Sequence, residues 1–294
     1  MRHQYRLPRV QVWRQDDAEG LKRFAEAVES QDCRLIGQIQ DAGRGRHFPG
    51  RNPEAIGASA LPDDLSWTVP RPLTATEIRG LIEEVAASAV HLQDCGFSGV
   101  EISGGHGHLF HQFLSPHANR RDDEFGGDWD GRTRFVAEMV AALRTACGSG
   151  FIIGLKLPCD DGVAGSIRPP EAALVTDRLT APGNIDYVCF AGGSHARTLE
   201  MHTPDRHGPP MPYMDIIKDL KRSANGVPVT VHHSRGETVV KINEGEPAPI
   251  AKLFRSIGLF HFKKGREGSV TISTEGTEGK YVIVDSVQFL IVMP

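Results

Sequence analysis

The sequence predicts an α/β fold of parallel βα units that gives way near Val227 to a small all-β segment. Three observations carry this expectation. Short apolar runs alternate with amphipathic helical stretches between Leu35 and about residue 222, the order that builds a parallel sheet covered by helices. From Thr230 onward no helical period remains, and short β-branched or aromatic runs are separated by turn residues. The residues just after each early strand are unusually polar, and catalytic groups of parallel α/β proteins collect at that end of the sheet.

In order along the chain, residues 16–30 place Leu21, Phe24, Ala25 and Val28 at helical spacing behind an acidic start. Leu35 to Ile39 is a short apolar run opening into Asp41-Ala42-Gly43-Arg44, which reads as a buried strand and loop. Residues 43–73 are rich in Gly, Pro, Arg and Asn and lack periodicity, so they read as a long loop over a site. Thr74 with Glu77 makes a capping-box start for a helix to about Leu92, with Ile78, Ile82, Val85 and Ala89 on one face. A strand from Phe97 to Ser103 follows, then helix 131–147, strand 151–157, helix 170–179, strand 185–190, helix 212–222 and strand 227–231. Beyond these the tail offers strands at Thr238 to Ile242, Leu259 to Phe262, Ser269 to Ser273, Tyr281 to Val284 and Val287 to Val292, with a hairpin turn over 275–280.

Composition bounds the function. With 294 residues, 39% hydrophobic and 24% charged, the chain can bury a core and fits two ordinary domains. Lys and Arg total 33 against 37 for Asp and Glu, a net charge of -4, so no general field draws in a polyanion and nucleic acid is not an expected partner. The five cysteines form no C-x-x-C pair, which argues against a disulfide framework and fits a reducing compartment. No run of about 18 apolar residues and no stretch like a signal peptide is seen; the expectation is a cytoplasmic protein without membrane contact.

The polar residues after the strands are Gln38 and Arg44, Ser103 with His106 and His108, Lys156, His195 and Arg197, and His232 with His233. The richest stretch is Val100 to Gly127, VEISGGHGHLFHQFLSPHANRRDDEFGG. It resembles the signature of the Old Yellow Enzyme family of flavin oxidoreductases: a strand ending Glu-Ile-His, then His or Asn, Gly-Tyr-Leu, Phe-Leu-Ser-Pro and Asn-x-Arg-x-Asp-x-Tyr-Gly-Gly. Gln38 to Arg44 is similar to the family's Gln-Leu-x-His-x-Gly-Arg, and Gly154-Leu155-Lys156-Leu157 falls where the family has a basic residue on a strand. The resemblance spans about residues 10–228 and is nearest to the amine-oxidising branch around trimethylamine dehydrogenase and N-methylproline demethylase-like proteins.

The resemblance implies a (β/α)8 TIM-type barrel that binds FMN, with NADH or NADPH as hydride donor and a small amine or unsaturated carbonyl compound as substrate. It makes Gln38 and Lys156 cofactor-binding, Lys156 lying near the flavin N1 and O2. His106 takes the family's second His/Asn position over the flavin, Ser103 replaces the first His, and His108 stands where the family has a Tyr proton donor. His106 and His108 are thus the candidate catalytic residues, and Ser103, His106 and His195 the candidate substrate contacts. Each has an ordinary reading beside this one: a strand-end hydrogen bond for Gln38, an ion pair for Lys156, caps or packing for His108, His111 and His117, and a turn network for Asn119, Arg120, Asp122 and Asp123.

Five strands can be counted for the barrel, or four if Val227 to Val231 belongs to the tail, against eight in the resembled barrel, so the expectation is an incomplete barrel with unpaired edges that invite oligomerisation. Residues 227–294, which carry Val-Ile-Val-Asp-Ser-Val-Gln-Phe at 282–289, resemble the second half of a golvesin C-terminal-like β-sandwich, which would give 1–226 and 227–294 as two partial domains. Two other functions stay open: a non-catalytic fusion remnant with a β binding module, and a metal-dependent barrel hydrolase using His106 and His108.

Overall fold

The structure, a computed structural model, describes residues 18–45, 54–63, 66–194, 197–198, 201, 213–220, 227–242, 256–262 and 268–272. The chain divides into two compact units, residues 1–220 and 221–294.

In the first unit the elements run α1 (Ala18–Glu29), β1 (Ile36–Ile39), β2 (Ile56–Gly57), β3 (Arg71–Pro72), α2 (Ala75–Asp94), β4 (Gly99–Ser103), α3 (Leu109–Leu114), α4 (Trp129–Cys147), β5 (Ile152–Asp160), α5 (Pro169–Thr180), β6 (Tyr187–Gly192) and α6 (Met214–Leu220). Strands β1, β4, β5 and β6 form one parallel sheet in that order. Apart from the separately paired β2 and β3, each strand lies beside the next in sequence, as successive βα units produce. The α/β class is therefore as expected, and the sheet is part of a barrel wall.

Alternation along the strands sets what each face carries. Val100 and Ile102 of β4 and Ile153, Leu155 and Leu157 of β5 have no exposed surface. They join one core with Ile78, Ile82, Val85 and Ala89 of α2 and Phe135, Val136, Met139 and Leu143 of α4. The residues between them, Glu101, Ser103, Gly154 and Lys156, fall on the opposite face. The register there aligns Gln38, Glu101, Gly154 and Tyr187 in one row, and Ser103, Lys156 and Cys189 in the next.

Helix α2 begins as the sequence predicts. The Thr74 hydroxyl accepts from the Glu77 N–H at 3.3 Å while the Thr74 N–H donates to the Glu77 carboxylate at 2.9 Å. Arg71 adds two hydrogen bonds of 2.8 Å to the same carboxylate. Those Arg71 contacts, with the Thr74 donors, hold the Glu77 carboxyl down at about 2.

Two expectations need correction. The 43–73 stretch is not wholly irregular, because β2 and β3 pair in parallel across it. Leu259 to Phe262 is not a strand. In the second unit β7 (Val227–His233) is central, with β8 (Gly236–Ile242) and β9 (Ser269–Ile272) both antiparallel to it. Both edges of β7 are therefore taken, and among the described residues the 259–262 segment meets this sheet through the Ser234 N–H, which donates to the His261 carbonyl at 2.8 Å. Of the two placements open for strand 227–231, the structure has the one in the tail: it belongs to this antiparallel sheet and is not a fifth parallel strand. The predicted hairpin 275–280 and the strands at 281–284 and 287–292 lie outside the described residues. Residues 221–226, between the expected division at 226/227 and the observed one, are outside them too.

Candidate functional site

The polar face of the parallel sheet is organised around a carboxylate. Glu101, in the middle of β4, is 8% exposed. Its Oε1 accepts from Gln38 Nε2 at 2.7 Å and faces Lys156 Nζ at 3.1 Å. Its Oε2 accepts from the Tyr187 hydroxyl at 3.0 Å. Three strands thus send a donor to one acidic group, which satisfies a charge that burial alone would make costly. Gly154 makes this geometry available: a Cβ there would lie 2.2 Å from the Tyr187 ring, so only glycine lets the phenol cross from β6 to β4. Burial, together with the adjacent Glu101 charge and hydrogen bond, pushes the Tyr187 phenol well above its ordinary value.

Gln38 and Lys156 are therefore brought together. Ser103 stands beside Lys156 in register; its hydroxyl is buried and has no hydrogen-bond partner among the described residues. Past Ser103 the chain turns through Gly104 and Gly105. A Cβ on Gly105 would contact the Lys156 stem at 3.6 Å and Ala191 at 3.3 Å, so this turn packs over the carboxyl ends of β5 and β6. His106 follows in a left-handed conformation, φ 62°, and bridges Ser194 in parallel. His108 is buried at 3% and occupies the N-cap position of α3 without a side-chain cap bond. The His106 and His108 rings are 6.4 Å apart, edge to face.

Other expected residues behave differently. His195 lies outside the described residues. Arg44 and Arg197 line a small cavity of about 20 Å³ with His111, His117, Asp161 and Ser166. His232 and His233 sit on β7 itself, where His232 Nδ1 is 3.4 Å from Glu237 and His233 Nε2 is 2.9 Å from the Thr238 hydroxyl. They are strand residues of the antiparallel sheet, and no parallel-strand end carries them. Asn119 is structural: its amide donates to the Phe113 and Phe125 carbonyls at 2.7 and 2.8 Å. Cys159 is buried, and its thiol is pushed up to about 12, chiefly by burial, which makes it unreactive.

Glu101 and Tyr187 are the residues that sequence reasoning missed. A signal existed for Glu101, since a carboxylate inside a buried strand needs a partner, and Lys156 is the basic residue on the neighbouring strand. Nothing in the sequence marks Tyr187, whose role depends on the register that sets it beside Gly154.

The donor set suits a planar heterocycle with alternating carbonyl and N–H groups. A Gln38 amide offers one donor and one acceptor, Lys156 a positive charge, and Ser103 an unused hydroxyl. Those chemistries match the pyrimidine edge of a flavin. Among the described residues no group of three or more His, Cys, Asp or Glu could hold a metal ion, so His106 and His108 gain no third ligand there. None of the described helices is long and apolar enough to cross a membrane.

Comparison with known proteins follows the same line. Residues 7–223 match the NADH:flavin oxidoreductase / NADH oxidase family. A metal reductase of Desulforamulus reducens is 32% identical over 210 residues, 71% of this chain and 31% of that protein. An NADPH dehydrogenase of Clostridium acetobutylicum is 36% identical over 161 residues, 54% of this chain and 47% of that protein. The chain thus spans less than half the length of either relative. Among solved structures, a 2-naphthoyl-CoA reductase complex superposes with a TM-score of 0.63 at 24% identity, over 71% of this chain and 33% of its own, which supports the barrel fold.

Proposed function

This chain belongs to the NADH:flavin oxidoreductase / NADH oxidase family, and on that premise we propose that the polar face of its parallel sheet is a flavin site of the Old Yellow Enzyme type. The observation that carries the reading is the convergence of Gln38 and Lys156, from separate strands, beside a Ser103 hydroxyl that has no partner among the described residues. When bound, FMN supplies hydride transfer between a nicotinamide donor, NADH or NADPH, and a small organic substrate.

The residues of the chain bind and orient. Gln38 presents its amide to the carbonyl and N–H edge of the ring system. Lys156 sets a fixed positive charge where the reduced ring system gathers negative charge, a preorganised electrostatic stabilisation. Glu101 keeps that ammonium and the Gln38 amide at fixed positions. His106, the more exposed of the two histidines, contacts the substrate, and His108 stands at the proton-donor position. Ser103 and His195 complete the substrate contacts.

A hydroxyl at 103 and an imidazole at 108 replace an imidazole and a phenol of the usual alkene-reducing set. That exchange speaks against the usual alkene reduction and fits a small amine no worse, so both a small amine and an unsaturated carbonyl compound are candidate substrates. For residues 227–294 the golvesin C-terminal-like reading, an accessory binding module without catalytic residues, rests on the sequence motif and on the antiparallel pairing of β7, β8 and β9. The test is anaerobic mixing of the FMN-loaded full-length chain with NADH and with NADPH, followed by candidate amines and enones. Bleaching of the flavin by a nicotinamide or an amine supports the reading, and a loaded protein that no donor of either class reduces contradicts it.

A further inference from the structure

The turn that carries His106 and His108 is held by a buried pair that the proposed chemistry does not use. His111, on α3, is 2% exposed, and Asp161, just after β5, is 1% exposed. His111 Nδ1 accepts from the Gly107 N–H at 2.6 Å, while Nε2 stands 3.1 Å from Asp161 Oδ2. An Nδ1 that accepts must be bare, so the proton lies on Nε2 and is donated to Asp161. The same carboxylate oxygen accepts from the Ser166 hydroxyl and from the Ile167 N–H. Burial pushes the Asp161 carboxyl up, but the His111, Ser166 and Ile167 contacts outweigh it and keep the group below its ordinary range.

Gly107 is gripped on both sides, because its carbonyl accepts from Gln112 Nε2 at 2.9 Å. The grip matters because Gly107 and His106 both have positive φ, 83° and 62°. A left-handed histidine is strained and persists only where its surroundings determine it. We propose that His111, oriented by Asp161, is a positioning residue that sets the left-handed turn of His106 through the Gly107 N–H. The functional consequence rests on the reading of His106 as a substrate contact; the clamp itself does not.

Two substitutions separate the halves of the imidazole. In His111→Asn the amide oxygen replaces Nδ1 and can still accept from Gly107, whereas in His111→Gln the amide nitrogen replaces Nε2 and reaches only Asp161. Amide hydrogen exchange at Gly107 in the full-length chain, without flavin, should quicken about tenfold in His111→Gln, the effect of losing one buried hydrogen bond, and stay near wild type in His111→Asn. Equal protection in both variants, or equal loss in both, overturns the clamp. The wild-type chain gives an arm that needs no variant: ring-nitrogen NMR must find Nδ1 bare and Nε2 protonated, and the opposite tautomer overturns the proposal. Turnover of the FMN-loaded chain should fall in His111→Gln and recover in His111→Asn. If Gly107 behaves as described but neither wild type nor variant turns over, the flavin reading fails and the clamp stands.

Discussion

The two faces of the parallel sheet come from alternate residues of the same strands, and they do opposite work. One face, Val100, Ile102, Ile153, Leu155 and Leu157, is wholly buried against α2 and α4. The other gathers Gln38, Lys156 and Tyr187 around the Glu101 carboxylate, with Ser103 beside Lys156 in register. The period of two lets β4 and β5 anchor the fold and furnish a site at once, so damage to the two faces should have separable effects.

The largest effect belongs to the apolar face. Leu155→Ala should destabilise the first unit by about 2–5 kcal/mol, the usual cost of a cavity in a closed core, measured by urea unfolding, with any change in flavin retention tracking the unfolded fraction. A stability loss below about 1 kcal/mol would break the contrast. On the polar face, Lys156→Met should cost less stability than Leu155→Ala, about 1–3 kcal/mol, because the buried Glu101 carboxylate loses its cation but keeps the Gln38 and Tyr187 donors. It should lower flavin reduction about 100-fold, the scale of one lost electrostatic donor, measured by stopped-flow absorbance.

Glu101→Gln sharpens the picture without touching the core. With the charge and its acceptor role weakened, the Tyr187 phenol should titrate closer to its ordinary value, read as the difference in tyrosinate absorbance between wild type and variant. An unchanged titration would mean that burial alone raises it. The smallest effect lies away from both faces. Glu77→Ala removes half of the α2 capping box and should cost about 1 kcal/mol at neutral pH. Because folding depresses the Glu77 carboxyl from 4.5 to about 2, its contribution is complete above the ordinary value and disappears as pH falls through the folded one. Wild type and variant should therefore converge in stability between about pH 4.5 and 2.

What the sequence revealed follows from how local each feature is. The α2 start was legible because a capping box is written in four consecutive residues, Thr74 to Glu77. Strands β4 and β5 were legible because their apolar runs are bounded by turns. The fate of Leu259 to Phe262 was not, since strand pairing depends on which edges of β7 remain open. At the candidate site, Gln38, Ser103, His106 and Lys156 could be singled out in the sequence because each falls late in or just after an expected strand. The Glu101 hub was not, because it depends on a register joining residues 38, 101, 154 and 187. The His111 and Asp161 pair, 50 residues apart in sequence, was hidden for the same reason.

The central claim is that Gln38 and Lys156 form a flavin-binding surface, and equilibrium titration of FMN into the full-length chain and into the folded Gln38→Ala/Lys156→Met double variant addresses it most directly. The account predicts saturable quenching of flavin fluorescence by the wild type and binding weakened about 100-fold or more in the variant. A folded wild-type chain that leaves FMN fluorescence untouched, or a variant that binds as tightly as the wild type, would contradict it.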